Sequence, residues 1–252
     1  MSALPDIDYG SRLRAGVLIP SGNSVAEPEI RAMLPRDVSM LVTRLSLRGS
    51  SRAELMRMLD QLEAASVLLA DAEVDCIVFH CTAVSTFAPE WADGIRERIQ
   101  AASGIKCFTT ADAILEGLRR LKAKRVSLLT PYIDEVHARE IAFLDANGFE
   151  VGGCANLGIN TNADMATLKP EAILDWAMDK VDRRADACLI SCTAIKSAPV
   201  IARLEQALGL PVLTSNQSMV WYLLRSNGID GRVEGYGGLF SAEPYGQSAA
   251  KC

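Results

Sequence analysis

A chain of 252 residues with 31 acidic against 26 basic side chains has a net charge of −5 and a pI of about 5.2. It lacks the basic excess that nucleic acids and anionic membranes attract, though a small anionic ligand remains compatible with it. Apolar residues make up 49% and mean hydropathy is +0.14, enough for a sizeable core. No apolar run reaches the roughly 18 residues of a membrane span. Seven cysteines, none in C-x-x-C spacing and with no signal-peptide pattern, predict free thiols in a reducing compartment, and so a cytoplasmic protein.

Residues 1–14 are polar and aperiodic and read as a tail. Gly16 to Pro20 is a short buried strand, followed by the loop Ser21-Gly22-Asn23-Ser24. Met40 to Leu47 is strand-like. Leu55, Met58, Leu59, Leu62, Ala65 and Leu69 recur at helical spacing and predict one helix over 52–72. A strand at 76–79 leads into a cysteine loop. A helix follows over 90–102, with Pro89 at its start. The strand around Cys107 runs into a helix from Ala111 to Leu121. The pattern then restarts at Arg125: a strand, a Thr130-Pro131-Tyr132 loop, a helix from Glu135 to Asn147, and Gly148 as its cap. Strands at 149–154, 187–190 and 211–214 alternate with helices at 170–183, 198–207 and 217–225. Short apolar strands alternating with helices predict parallel α/β sheets, with functional groups at the carboxyl ends of the strands.

The restart is a duplication. Phe79-His80-Cys81-Thr82-Ala83-Val84-Ser85-Thr86 returns as Ile190-Ser191-Cys192-Thr193-Ala194-Ile195-Lys196-Ser197, at an offset of 192 − 81 = 111. Gly16 to Ser21 is echoed by Val126 to Pro131, and Cys107 to Ala111 by Val212 to Asn216. Three strand-to-loop junctions thus repeat in one order. The expected architecture is two similar α/β halves, each a flavodoxin-like unit, related by a pseudo-two-fold axis with the active site between them. The first half spans 15–116 and is joined by the C-terminal segment 217–240; the second spans 117–216; 1–14 and 241–252 are tails.

Cys81 and Cys192 occupy matched places just past buried strands, where a helix is expected to begin and backbone N–H groups can stabilise a thiolate or bind a carboxylate. An isolated cysteine would read as core filling; the matched Cys-Thr-Ala loops favour chemistry. Cys76, Cys107, Cys154 and Cys188 lack matched loops and read as core or surface residues. With two histidines and no zinc spacing, no metal is expected. His80 points away from its neighbour Cys81 and reads as a core residue in preference to a base; His137 reads as surface helix. Asn23 reads either as a helix cap or as an amide donor to a carboxylate. Tyr132 reads as cleft lining or an oxyanion donor. Gly235-Tyr236-Gly237-Gly238 lacks the context of a dinucleotide fingerprint.

These residues resemble the aspartate/glutamate racemase superfamily, and within it the maleate cis–trans isomerase and arylmalonate decarboxylase branch. The likeness runs from Gly16 to Phe240. It is carried by Val17-Leu18-Ile19-Pro20-Ser21-Gly22-Asn23-Ser24, Leu115-Glu116-Gly117-Leu118-Arg119, Arg125 to Tyr132, Ile190-Ser191-Cys192 and Gly235-Tyr236-Gly237-Gly238-Leu239-Phe240. The resemblance implies no cofactor. It also implies one cysteine from each half in racemases and isomerases, and the second-half cysteine alone in decarboxylases. This chain has both. Its Ser21-Gly22-Asn23 loop is similar to the isomerase loop whose Asn holds a carboxylate. Where those isomerases carry Ala-Cys-Leu-Val it has His80-Cys81-Thr82-Ala83, and its Gly-Tyr-Gly-Gly-Leu-Phe segment is nearer the decarboxylases.

The expected function is cofactor-independent isomerisation of a small carboxylate or dicarboxylate, in its sharpest form maleate-type cis–trans isomerisation. Cys81, with its pKa lowered by loop N–H groups, would be the nucleophile and Cys192 the acid and base. Substrate would be held by Ser21, Asn23, Thr82, Ala83, Tyr132, Thr193 and Ala194, with Asn23 and Tyr132 outside the core. The alternatives are an Asp/Glu- or hydantoin-type racemase, an arylmalonate-type decarboxylase using Cys192, and a non-enzymatic carboxylate-binding protein. A homo-oligomer, dimer or higher, is compatible with each.

Overall fold

The structure is a computed structural model describing residues 6–49, 51–88, 91–229 and 233–241. The first half runs β1 (Leu13–Pro20), α1 (Ala26–Met33), β2 (Val38–Leu45), α2 (Arg52–Leu59), α3 (Leu62–Asp71), β3 (Cys76–Phe79), α4 (Thr82–Ser85), α5 (Trp91–Ser103), β4 (Cys107–Thr109) and α6 (Thr110–Arg120). The second runs β5 (Arg125–Tyr132), α7 (Asp134–Ala146), β6 (Glu150–Ile159), α8 (Asn162–Met165), α9 (Pro170–Lys180), β7 (Ala187–Ile190), a 3-10 turn at Ala198–Val200, α10 (Ile201–Leu208), β8 (Val212–Thr214), α11 (Ser215–Ser226) and α12 (Gly238–Ser241).

Two four-stranded parallel sheets result, ordered β2-β1-β3-β4 and β6-β5-β7-β8. Strand for strand they share one topology, so the duplication read from the sequence is a duplication of fold. In each sheet the order reverses between the first and third strands, and the cysteine loops leave the carboxyl end of that third strand. The central strands β3 and β7 are wholly buried and read as unbroken apolar runs. The edge strand β6 has no buried residue; each is half-buried or exposed.

The halves also match at their closing helices. Thr109 caps α6 in a capping box with Asp112, and Thr214 caps α11 in the same way with Gln217. These two helices pack on each other across the pseudo-two-fold, and α11 also packs on α1. Gly117 lets α6 close on the other half: a Cβ there would stand 2.9 Å from Leu213 Cδ2 of β8. One continuous apolar cluster runs through both halves and includes Cys81, Cys192 and Tyr132. Each fully buried Leu, Ile or Phe in it contributes roughly 1.5–3 kcal/mol.

Several local expectations change. The helix expected over 52–72 breaks at Asp60 and Gln61, because Gln61 turns its side chain outward to accept from Ser46 N and donate to Arg57 O. Thr130-Pro131-Tyr132 is strand, not loop. β5 runs on beside β6 across an irregularity between Thr130 and Tyr132, which accommodates a proline without an N–H. Beyond Cys192 no helix begins until the 3-10 turn at Ala198. β1 starts at Leu13, inside the expected tail. Pro89, Glu90 and residues 242–252 lie outside the described residues. The Gly235-Tyr236-Gly237-Gly238 segment is a latch. Gly238 N donates to Glu205 Oε2, Gln217 Nε2 donates to Tyr236 O, and Leu239 and Phe240 are buried. Gly237, at φ +85°, packs where a Cβ would meet Ile201 Cγ2 at 2.5 Å.

Candidate active site

Cys81 sits in extended backbone as the residue before α4, which directs the N–H groups of Ala83 and Val84 at its sulfur. Cys192 lies in the irregular loop after β7. Ala194 N donates to its sulfur at 3.2 Å, Met165 of α8 stands 3.7 Å away, and the Tyr132 hydroxyl faces it as a donor. Both thiols are free and buried. They are close enough that charge on Cys192 would raise Cys81, and Tyr132 senses both. Cys81, Cys192 and Tyr132 therefore form one cluster between the halves.

The thiols are not pre-ionised. Burial pushes Cys81 up to about 12, and the opposing N–H groups of Val84 and Ala83 do not overcome it. Cys192 is likewise pushed up to about 12, against the pull of Tyr132 and Ala194. The expectation of a lowered Cys81 pKa is thus overturned: removing the sulfur from water outweighs two amide dipoles. Tyr132 is raised well above its usual range, again chiefly by burial, and is a neutral hydroxyl donor.

Asn23 and Tyr132, expected outside the core, are both buried. The Asn23 carboxamide serves both readings available to it. Oδ1 accepts from Val25 N and Ala26 N at 2.9 and 3.0 Å, capping α1. Nδ2 crosses to the other half and donates to Thr193 O and Thr193 Oγ1, both at 3.0 Å. Thr82 donates its hydroxyl to Ser215 Oγ at 2.9 Å, again across the halves. Ser21 is turned to the backbone of Leu47, whose N–H it accepts at 3.1 Å. Ala83 and Ala194 contribute backbone N–H groups to their neighbouring sulfurs.

Four groups missed in the sequence frame this cluster. Asn162, on α8, has a buried Nδ2 with no hydrogen-bond partner among the described residues. A Cβ on Gly22 would stand 3.5 Å from that nitrogen, and Asn162 N donates to Arg48 O, so α8 bridges from Met165 at Cys192 to the Gly22 loop. Glu29 and Glu140 are buried carboxyls, raised by burial to about 7 and about 8. Neither Glu140 oxygen has a hydrogen-bond partner among the described residues, although the Ser191 hydroxyl faces it, and it bears on both Cys192 and Tyr132. Asn216 is fully buried and tied to Glu29. His137, expected at the surface, is buried, its Nδ1 2.9 Å from Thr130 Oγ1. The sequence did carry a signal. Glu29 falls on the stripe Ala26, Ile30, Met33, and His137 and Glu140 on the stripe Val136, Phe143, Leu144. A titratable residue at a core position of an amphipathic helix must be buried, paired or neutral.

Among known proteins, the maleate isomerase of Nocardia farcinica is 30% identical over 241 residues, covering 90% of this chain and 94% of that one. The arylmalonate decarboxylase of Bordetella bronchiseptica is 34% identical over 145 residues, covering 56% of this chain and 60% of that one. Among solved structures, a cysteine-to-serine mutant of the N. farcinica maleate cis–trans isomerase with a covalently bound succinylcysteine intermediate superposes with a TM-score of 0.88 at 26% identity, covering 92% of this chain and 99% of that one. The family described as arylmalonate decarboxylase, Amdase, matches residues 15–240, and the chain belongs to it.

Proposed function

We propose that the chain is a maleate-type cis–trans isomerase working through Cys81 and Cys192 without a cofactor. The observation that carries this reading is the pair of buried thiols at equivalent places of the two halves, electrostatically coupled and sharing Tyr132. It is supported by the succinylcysteine intermediate of the N. farcinica relative, which is an adduct of a cysteine to a four-carbon dicarboxylate.

The cycle begins with Cys81 as the thiolate, its proton having been given up to solvent, and each turnover returns that thiolate. The thiolate adds to one alkene carbon, forming a C–S bond, while the π electrons move toward the carboxylate on the adjacent carbon as an enediolate. Cys192 S–H protonates that carbon and becomes the thiolate. The former double bond is now single and rotates. The Cys192 thiolate then takes the proton back, the double bond re-forms in the trans geometry, and Cys81 leaves as thiolate. Atoms and charge balance with no other reactant. The Tyr132 hydroxyl and the backbone N–H groups at Thr82, Ala83, Thr193 and Ala194 are suited to the developing oxyanion. The Asn162 Nδ2, buried and without a partner among the described residues, is a donor for a carboxylate. Asn23 can serve only by sharing the donors it now gives to Thr193; Ser21 is exposed and engaged with Leu47.

The sequence likeness to the Bordetella decarboxylase favours a second reading, in which carbon dioxide leaves an arylmalonate and Cys192 alone protonates the enediolate. One experiment separates them. Wild type, Cys81→Ser and Cys192→Ser are incubated in deuterated water with maleate, and separately with phenylmalonate, amino acids and hydantoins, and followed by proton NMR. Isomerisation should be abolished in both variants while circular dichroism stays unchanged. Wild-type kcat on maleate in either variant would end the two-thiol mechanism. Phenylmalonate turnover that survives Cys81→Ser but not Cys192→Ser would establish the decarboxylase reading instead. Binding of maleate without turnover of any of these compounds would leave a carboxylate-binding protein.

A further inference from the structure

A single buried carboxylate ties the two cysteine loops together. Glu29 reaches from α1 of the first half into the second, where Oε1 accepts from Ala198 N at 2.9 Å and Oε2 accepts from Asn216 Nδ2 at 2.7 Å. The same Asn216 nitrogen donates to Thr193 O at 3.3 Å, the carbonyl that Asn23 also engages. With Glu29 ionised, both neighbours of Asn216 Nδ2 are acceptors, so its Oδ1 is the atom facing His80, 2.8 Å from Nε2. An amide oxygen only accepts, so Nε2 carries the ring proton. The ring is neutral in its buried site, which leaves Nδ1 as an acceptor for the Thr110 hydroxyl at 3.1 Å. His80 immediately precedes Cys81 and Thr193 immediately follows Cys192.

We propose that Glu29 is the positioning residue of the site: acting through Asn216, it locks His80 as the Nε2–H tautomer and anchors the Thr193 carbonyl, holding both cysteine loops in register. This rests on the reading of Cys81 and Cys192 as the reacting pair, but its physical content is a direction of hydrogen bonding that can be reversed. In Glu29→Gln the backbone donor Ala198 N cannot turn, so the glutamine oxygen stays with it and the NH2 faces Asn216. Asn216 must then present Oδ1 to that NH2, lose its bond to Thr193 O, and turn Nδ2 toward His80. A donor facing Nε2 requires a lone pair there, so the ring proton moves to Nδ1 and is donated to Thr110 Oγ1. The Thr110 hydroxyl can give its own proton to Phe79 O, 3.2 Å away. Each acceptor in the reversed line keeps a donor, Thr193 O retaining its bond from Asn23 Nδ2; the cost is the Asn216–Thr193 bond, and circular dichroism checks that the variant folds.

The test needs no substrate. Long-range 1H–15N correlation of uniformly labelled protein reports which imidazole nitrogen is protonated. The chain has two histidines, and a His137→Gln background assigns His80. Measured above pH 8, where Glu29 with its pKa of about 7 is ionised, wild type should show the Nε2–H pattern and Glu29→Gln the Nδ1–H pattern. Alkylation of Cys81 and Cys192 by iodoacetamide, followed peptide by peptide, should quicken roughly 3- to 10-fold at both thiols, the equivalent of one lost hydrogen bond. An Nδ1–H ring in wild type, an Nε2–H ring in Glu29→Gln, or a reversed ring with unchanged reactivity at both cysteines would each overturn the proposal. None of these outcomes depends on maleate being the substrate, so failure here and failure of the isomerase reading are separately visible.

Discussion

Replacing Glu140 by glutamine should stabilise the protein at alkaline pH and flatten its stability profile. The Glu140 carboxyl is fully buried, with no hydrogen-bond partner for either oxygen among the described residues, and burial raises its pKa from 4.5 to about 8. The folded state therefore holds a proton that the unfolded chain has released above pH 4.5. Stability from this group is present below that pH and is lost as pH rises toward 8. The slope is about −1.4 kcal/mol per pH unit, so about 3–4 kcal/mol disappears between pH 5 and 8. Glu29, raised to about 7, adds a parallel loss that ends one unit earlier and is common to both proteins. Glutamine keeps the shape of the protonated side chain and cannot ionise. Melting temperatures at pH 5 should be similar, whereas at pH 8 Glu140→Gln should melt higher by about 6–16 °C, taking 2–4 °C per kcal/mol for a chain of this size. Differential scanning calorimetry under reducing conditions measures this directly. Parallel Tm-versus-pH curves for the two proteins would show that Glu140 is ionised in the fold, and the argument from burial would fail.

The remaining expectations concern the site. Because burial pushes both thiols up to about 12, kcat/KM on maleate should climb about tenfold per pH unit between pH 6 and 9, and a plateau through that range would mean a preformed thiolate. Tyr132→Phe removes a hydroxyl facing Cys192; if it holds developing charge, kcat should fall about 10- to 150-fold with little change in KM, and an unchanged kcat would place the oxyanion elsewhere. Asn162→Ala should cost a similar factor in kcat/KM while leaving Tm within a few degrees, as no hydrogen bond to protein is lost from its Nδ2. Asn23→Ala should instead lower Tm, since it strips the α1 cap and the bonds to Thr193; an unchanged Tm would mean those bonds contribute nothing net.

The sequence made the fold legible because parallel strands buried on both faces leave continuous apolar runs, and because the second half repeats the first junction by junction. The strands at 76–79 and 187–190 were read to the residue. Chain-local signals resolved the elements less well where tertiary bonds decide. Gln61 breaks a helix by reaching Ser46, and Pro131 stays in a strand because β6 tolerates the irregularity. The coming together of Cys81, Cys192 and Tyr132 was legible because they sit at repeated strand ends. The electrostatics were not, because the sign of a thiol's shift depends on how far water is excluded, which no local pattern records. Asn216 escaped for a related reason: it sits inside the repeat Val212 to Asn216, yet its matching residue is Ala111, so the duplication offered no pair to compare.

That mismatch points to how a symmetric fold supports an asymmetric reaction. The two halves supply the same strand ends and the same cysteine, but the surroundings of the sulfurs differ. Cys81 has Ala83 and Val84 N–H groups and, among the described residues, no hydroxyl donor of its own, with His80 bonded to Asn216 behind it in the core. Cys192 has Tyr132, Ala194 N–H and Met165, with Glu140 close behind. A negative charge on Glu140 raises Cys192 and Tyr132, so while Glu140 keeps its proton the second thiol is easier to leave charged, after it has protonated a carbon, than it is beside an ionised Glu140. Ionising Glu140 near pH 8 should therefore slow the proton-transfer half of the cycle while leaving thiolate addition untouched. The solvent deuterium isotope effect on kcat should grow above pH 8 in wild type and stay level in Glu140→Gln. An isotope effect that is independent of pH in wild type would mean that Cys192 does not sense Glu140 during turnover, and the asymmetry would have to come from the loops alone.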